Sequence, residues 1–87
     1  MKIVASPIDV IATFSREGKP SPYKFRYIEK NGESTEIKID RVISTEKQKL
    51  AGIDSLVYTC QSEIDGTMRL YELKYIIGQH RWELYKI

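Results

Sequence analysis

Two short turns near the end of the chain constrain its fold more than any other feature. Asp65-Gly66 and Gly78-Gln79 divide Leu56 to Ile87 into two consecutive hairpins that share a middle strand. Asp-Gly suits a type I′ turn, in which both central residues need φ > 0. A two-residue loop there sets Ile64 opposite Thr67, Cys60 opposite Tyr71, Tyr58 opposite Leu73 and Leu56 opposite Tyr75. The last three pairs then share one face, the most apolar available. A slip of one residue would bring Glu72 and Lys74 onto that face instead. Gly78-Gln79 has glycine first, as a type II′ turn prefers. It pairs Tyr75 with Trp82 and Leu73 with Leu84 on the same face, and Lys74 with Glu83 on the other. Two turns read independently yield one core face, and that agreement supports both.

The rest of the chain reads as further β-structure. Met1 to Ala5 is a short strand or a loose end, and Pro7 interrupts it. Ile8 to Phe14 alternates, with Ile8, Val10, Ala12 and Phe14 on one side. Ser15 to Pro22 reads as a loop, because neither Pro20 nor Pro22 suits a central strand. Tyr23 to Glu29 carries Tyr23, Phe25 and Tyr27 on one face. A loop of Lys30-Asn31-Gly32, with Gly32 in the left-handed position, pairs Phe25 with Ile37 and Tyr23 with Ile39 inside. It also pairs Arg26 with Glu36 and Lys24 with Lys38 outside. A third strand is expected over Ser34 to Ile43. Ser44 to Gly52 fits one short helix near 45–51, or a plain loop.

At 87 residues the chain is expected to be a single domain, 1–87. The expected fold is all-β: a small antiparallel meander of five to six strands, forming a partly open SH3-like barrel. A bent sheet capped by Ser44–Gly52 is the alternative.

The sequence names no chemistry. His80 is the only histidine, and it reads as an exposed turn residue. Cys60 is the only cysteine; pointing into the core, it behaves as a small hydrophobe. One cysteine excludes an intrachain disulfide and leaves a cysteine-based zinc site short of ligands. Asp9, Asp40, Asp54 and Asp65 lie on different elements and read as surface or turn residues. No phosphate-binding glycine loop and no metal-ligand spacing occurs. We therefore expect no catalytic, cofactor-binding or metal-binding residues, no cofactor, and a protein that is not an enzyme.

Fourteen basic and 12 acidic residues, interleaved, give a net charge of +2. That is an ordinary solvated surface, without the basic stripe of a dedicated DNA binder. The start Met1-Lys2-Ile3-Val4-Ala5 has too short an apolar run for a signal peptide, and no segment is long enough to span a bilayer. With the lone thiol, this points to the cytoplasm and away from a membrane.

Two surfaces are candidates for function. The outward face of the double hairpin carries Val57, Met68, Leu70, Ile76, Tyr85 and Ile87. Leu70 is expected opposite Ile87, and Glu72 opposite Tyr85. Either the first strand or the N-terminus covers this row, or Met68, Leu70, Tyr85 and Ile87 form an interface for a protein partner or a second copy. The strand ending at Ile87 is a candidate open edge. The second surface is Lys24, Arg26 and Lys38, a basic set for single-stranded nucleic acid. The expected function is an accessory or protein-interaction β-domain. Weak single-stranded nucleic-acid binding is the alternative.

Three stretches carry a resemblance: Cys60-Gln61-Ser62-Glu63-Ile64-Asp65-Gly66, Tyr71-Glu72-Leu73-Lys74-Tyr75, and Arg81-Trp82-Glu83-Leu84-Tyr85-Lys86-Ile87. With the strand Tyr23 to Tyr27, they resemble short uncharacterised bacterial chains of a domain-of-unknown-function type from Gram-positive genomes. The resemblance implies a small β-domain in a bacterial cytoplasm. It brings no catalytic or ligand residues.

Overall fold

Both turns deliver the registers expected of them, one by a different route. In the computed structural model, which describes all residues Met1–Ile87, Asp65 (φ 52°) and Gly66 (φ 78°) form the left-handed pair of a tight hairpin. Strands β5 (Ile53–Ile64) and β6 (Thr67–Ile76) then pair with Tyr58 opposite Leu73 and Cys60 opposite Tyr71. The next turn is not type II′. Residues Ile77–Gln79 form a 3-10 turn, the His80 N–H donates to the Ile77 carbonyl, and His80 (φ 51°) takes the left-handed position in place of Gly78. The loop gains one residue at each end, so the pairings from Ile76–Arg81 to Leu73–Leu84 are unchanged. Strand β7 (Arg81–Lys86) still sets Trp82 opposite Tyr75 and Leu84 opposite Leu73.

Four more strands precede these: β1 (Ile3–Phe14), β2 (Pro20–Ile28), β3 (Ser34–Lys38) and β4 (Arg41–Leu50). All seven form one antiparallel sheet in the order β3-β2-β1-β7-β6-β5-β4, two strands or one more than expected. Several local expectations need correction. Ser44–Gly52 is neither helix nor loop. Thr45 to Leu50 continues β4, and Ala51-Gly52 (φ 51° and 80°) closes a hairpin onto β5. An edge strand need bury little, so its polar sequence resembles a helix or loop. The expected third strand, Ser34 to Ile43, breaks at Ile39-Asp40. Pro7 does not interrupt β1; it lies opposite Glu83, outside the β1–β2 ladder that begins at Asp9, so on that side there is no ladder for proline to break. Pro20 and Pro22 lie within β2 for the same reason, beyond the end of β3.

The order of the strands forces the sheet to curl. β3 and β4 occupy opposite edges, yet only Ile39 and Asp40 separate them. Flat, seven strands about 4.8 Å apart would hold their edges about 29 Å from each other. Lys38 to Arg41 spans about 11 Å at most. The sheet therefore bends into a half-barrel whose edges meet at that corner. There the Asp40 N–H donates to the Gln61 carbonyl, and Asp40 accepts from the Glu63 N–H at 2.8 Å.

Two hydroxyls of β5, on Tyr58 and Ser62, latch the curl from inside. The Tyr58 hydroxyl donates to the Pro20 carbonyl, joining β5 to β2. The Ser62 hydroxyl donates to the Lys38 carbonyl at 2.7 Å, joining β5 to β3. Its one proton is committed there, so the neighbouring Tyr71 hydroxyl donates to Ser62. Around these latches a core of Phe25, Ile37, Ile39, Tyr58, Cys60, Tyr71, Leu73, Tyr75, Trp82 and Leu84 is buried. Ile8, Val10, Ala12 and Ile87 pack against it. The loop Lys30-Asn31-Gly32 places Phe25 opposite Ile37 as expected. Tyr23 departs from its expected place in the core: it is the extra residue of a β-bulge opposite Ile11 and Ala12, and its side chain is 53% exposed.

Candidate functional site

The outward row of the double hairpin does not hold together. A bulge between Glu72 and Leu73 sets Glu72 opposite Lys86, not Tyr85. Leu70 therefore has no partner on β7, and the expected Leu70–Ile87 pair does not form. Ile87 exchanges two backbone hydrogen bonds with Lys2 and packs against the core. β7 is consequently paired on both sides, by β1 and β6, and is no open edge. Tyr85 is half-buried, with the Lys74 ammonium 4.3 Å from its ring centroid. Met68 and Leu70 alone of the four are exposed. Val57 and Ile76 are buried, though not by β1 or the N-terminus, which belong to the sheet itself. Across the ladders Glu46 and Lys74 flank Val57, and Ser55 and Arg81 flank Ile76.

The basic set is engaged by acids. Lys24 pairs with Glu36 at 2.9 Å and Arg26 with Asp9 at 2.7 Å. Those contacts draw the Glu36 carboxyl below its ordinary range and hold the Arg26 guanidinium above its own. Lys24 and Lys38 lie opposite each other, as expected. Lys38 lines a hollow whose other charged residues are Glu29, Glu36, Asp40, Glu63 and Asp65.

What the curl does create is a cleft of about 730 Å³ at the end away from the Ile39-Asp40 corner. One lip is Glu17 to Pro20, at the start of β2; the other is Lys47 on β4. The floor is aromatic. Tyr75 and Trp82 are buried with ring centroids 4.9 Å apart, and Phe14 meets Tyr75 edge-on at 6.3 Å. Leu56, Val10 and Ala12 complete it. Each residue follows from its strand's alternation: Lys47 lies opposite Leu56, which lies opposite Tyr75, so all three face inward. At the rim, His80 Nδ1 is 3.3 Å from the Tyr75 hydroxyl, which donates to it in the Nε2–H tautomer.

The charged groups of the cleft are Glu17, Lys19 and Lys47, with His80 as the one imidazole. Neither lysine is in an ion pair; the three pairs of the protein are Lys24–Glu36, Arg26–Asp9 and Arg81–Glu83. No group of three or more His, Cys, Asp or Glu residues is placed to hold a metal ion. Chemically, the cleft can hold a flat apolar body against its rings and pair a negative charge at its lips. Of its residues, Tyr75 and Trp82 lie in the core as expected. The site itself is hidden in the sequence because Phe14 borders a stretch with loop character and Lys47 lies in one with the character of a helix or loop. The only available signal was the aromatic spacing of Tyr75 and Trp82. No protein-family model, curated protein or solved structure matches the chain.

Proposed function

We propose that this chain is a non-enzymatic accessory domain that binds its partner molecule in the concave cleft. One observation carries the reading: the curl leaves three aromatic rings at the floor of an open cleft between two unpaired lysines. A cleft of this size lies in the usual range for small-ligand sites, roughly 300–1,000 Å³. The outward row is a weaker candidate, because only Met68 and Leu70 of its four residues are exposed. Nucleic-acid binding through Lys24, Arg26 and Lys38 is weaker still. Two of those cations already face carboxylates, and the third borders an acidic hollow. An SH3-like barrel and a cytoplasmic, Gram-positive setting belong to the same reading. The bent antiparallel sheet supports the first; the sequence resemblance and the lone thiol support the second.

Amide shift mapping by NMR against a library of aromatic, aliphatic and short peptide fragments tests the proposal. Fragments that bind should move the amides of Phe14, Lys47, Tyr75 and His80. Binding confined to Met68 and Leu70 would transfer function to the outward row. An oligonucleotide response at Lys24 and Arg26, lost as salt is raised, would transfer it to the basic set.

A further inference from the structure

The composition of the cleft points to a chemical class of ligand, an inference that rests on the cleft being the binding site. We propose that it takes a planar aromatic molecule bearing an anionic group. The ring lies against Phe14 and Tyr75, and the anion meets Lys47.

Three features support this class. First, the floor offers ring faces and edges, with Phe14 58% exposed and in edge contact with Tyr75. A flat ring satisfies that geometry better than a branched aliphatic group, since aromatic pairs contribute beyond their buried area. Second, Lys47 is an inward-facing charge on an edge strand without a carboxylate partner. Such a charge blunts the edge against another strand. It also leaves an unpaired ammonium at the lip of an apolar cleft, the arrangement a ligand anion complements. Third, the charges lining the cleft sum to +1 with His80 neutral, from Lys19, Lys47 and Glu17. An aromatic floor alone would also suit a cation, but two lysines at the lips oppose one.

The test uses three probes with the same ring and different charge: indole-3-acetate, the neutral indole-3-ethanol, and the cation tryptamine. Adenosine monophosphate is added to distinguish a carboxylate from a phosphate as the source of the anion. Indole-3-acetate should move the cleft amides and bind about tenfold more tightly than either uncharged or cationic analogue, the scale of one charge-assisted hydrogen bond. Lys47→Gln should abolish that preference, lowering indole-3-acetate to the affinity of indole-3-ethanol. Phe14→Ala should weaken all three indoles alike. Adenosine monophosphate binding more tightly than indole-3-acetate, with the same dependence on Lys47, would assign the anion to a phosphate. Equal affinity for the three indoles, or a preference that survives Lys47→Gln, would overturn the proposed class while leaving the cleft as a binding site. If fragments of no class move the cleft amides, the cleft reading itself fails.

Discussion

Tyr58, Cys60 and Tyr71 each carry an ionisable group into the interior, and all three are 2% exposed or less. Burial opposes the charged form and pushes each of them up to about 12. The unfolded chain titrates these groups at ordinary values, about 8.5 for a thiol and about 10 for a phenol. Between those values and 12 the folded state holds protons that the unfolded state has released. Stability is therefore complete below about pH 8.5, and falls as pH rises toward 12. Alkaline unfolding followed by circular dichroism should begin in that window. Absorbance at the phenolate band should show Tyr58 and Tyr71 ionising together with unfolding. Ionisation of either while the sheet remains intact would mean that its hydroxyl reaches solvent. Cys60 should resist thiol reagents until the same pH.

The elements differ in how strictly local chemistry decides them, and two glycines separate the cases. Gly66 sits at φ +78°, in a turn whose geometry requires it, whereas Gly78 is not in the left-handed region, because His80 occupies that position. Gly66→Ala should therefore cost about 1 kcal/mol or more. Gly78→Ala should be neutral or stabilising by about 0.4–1 kcal/mol, through a less flexible unfolded chain. Denaturant midpoints for the two variants decide this; an equal cost for both would restore the type II′ turn. The same contrast explains what was legible in the sequence. Asp65-Gly66 and the alternation of Leu56 to Leu84 state their register, because one face must be buried. In the second hairpin Tyr75–Trp82 and Leu73–Leu84 form despite the different turn, since lengthening a loop symmetrically preserves the pairs next to it. β4 was illegible: an edge strand with Glu46, Lys47, Gln48 and Lys49 in succession has no buried face to impose a period. The bulges at Tyr23 and between Glu72 and Leu73 are also invisible in the sequence; the first takes Tyr23 out of the core, and the second removes the expected Glu72–Tyr85 and Leu70–Ile87 pairs. The cleft lies where those illegible parts meet, so no single stretch of sequence announces it.

At the scale of the whole molecule, closure depends on the corner at Ile39-Asp40 and on the latches made by Tyr58 and Ser62. The corner is covalent and fixes one end of the gap between the edges. Tyr58 fixes the other, by donating to the carbonyl of Pro20, a residue itself buried. Removing that hydroxyl leaves a buried acceptor without a partner, which costs about 1–3 kcal/mol. Tyr71 is less critical, because Ser62 keeps its bond to the Lys38 carbonyl when the incoming donor is lost. Tyr58→Phe should thus destabilise the protein more than Tyr71→Phe, although both delete one oxygen from one buried ring. The two variants should also differ in place. Tyr58 holds the lip of the cleft, so Tyr58→Phe should speed amide hydrogen exchange at Lys19, Ser21 and Tyr23 ahead of the strand's other half, Lys24 to Ile28. Tyr71→Phe should not, because the Ser62 latch it supports lies toward the closed corner. A uniform acceleration across β2 in Tyr58→Phe would show that the lip opens only with global unfolding, and the cleft would then be a rigid feature of the half-barrel. Selective acceleration at the lip would show that the cleft widens independently of the core, so that a ligand can enter it without unfolding the sheet.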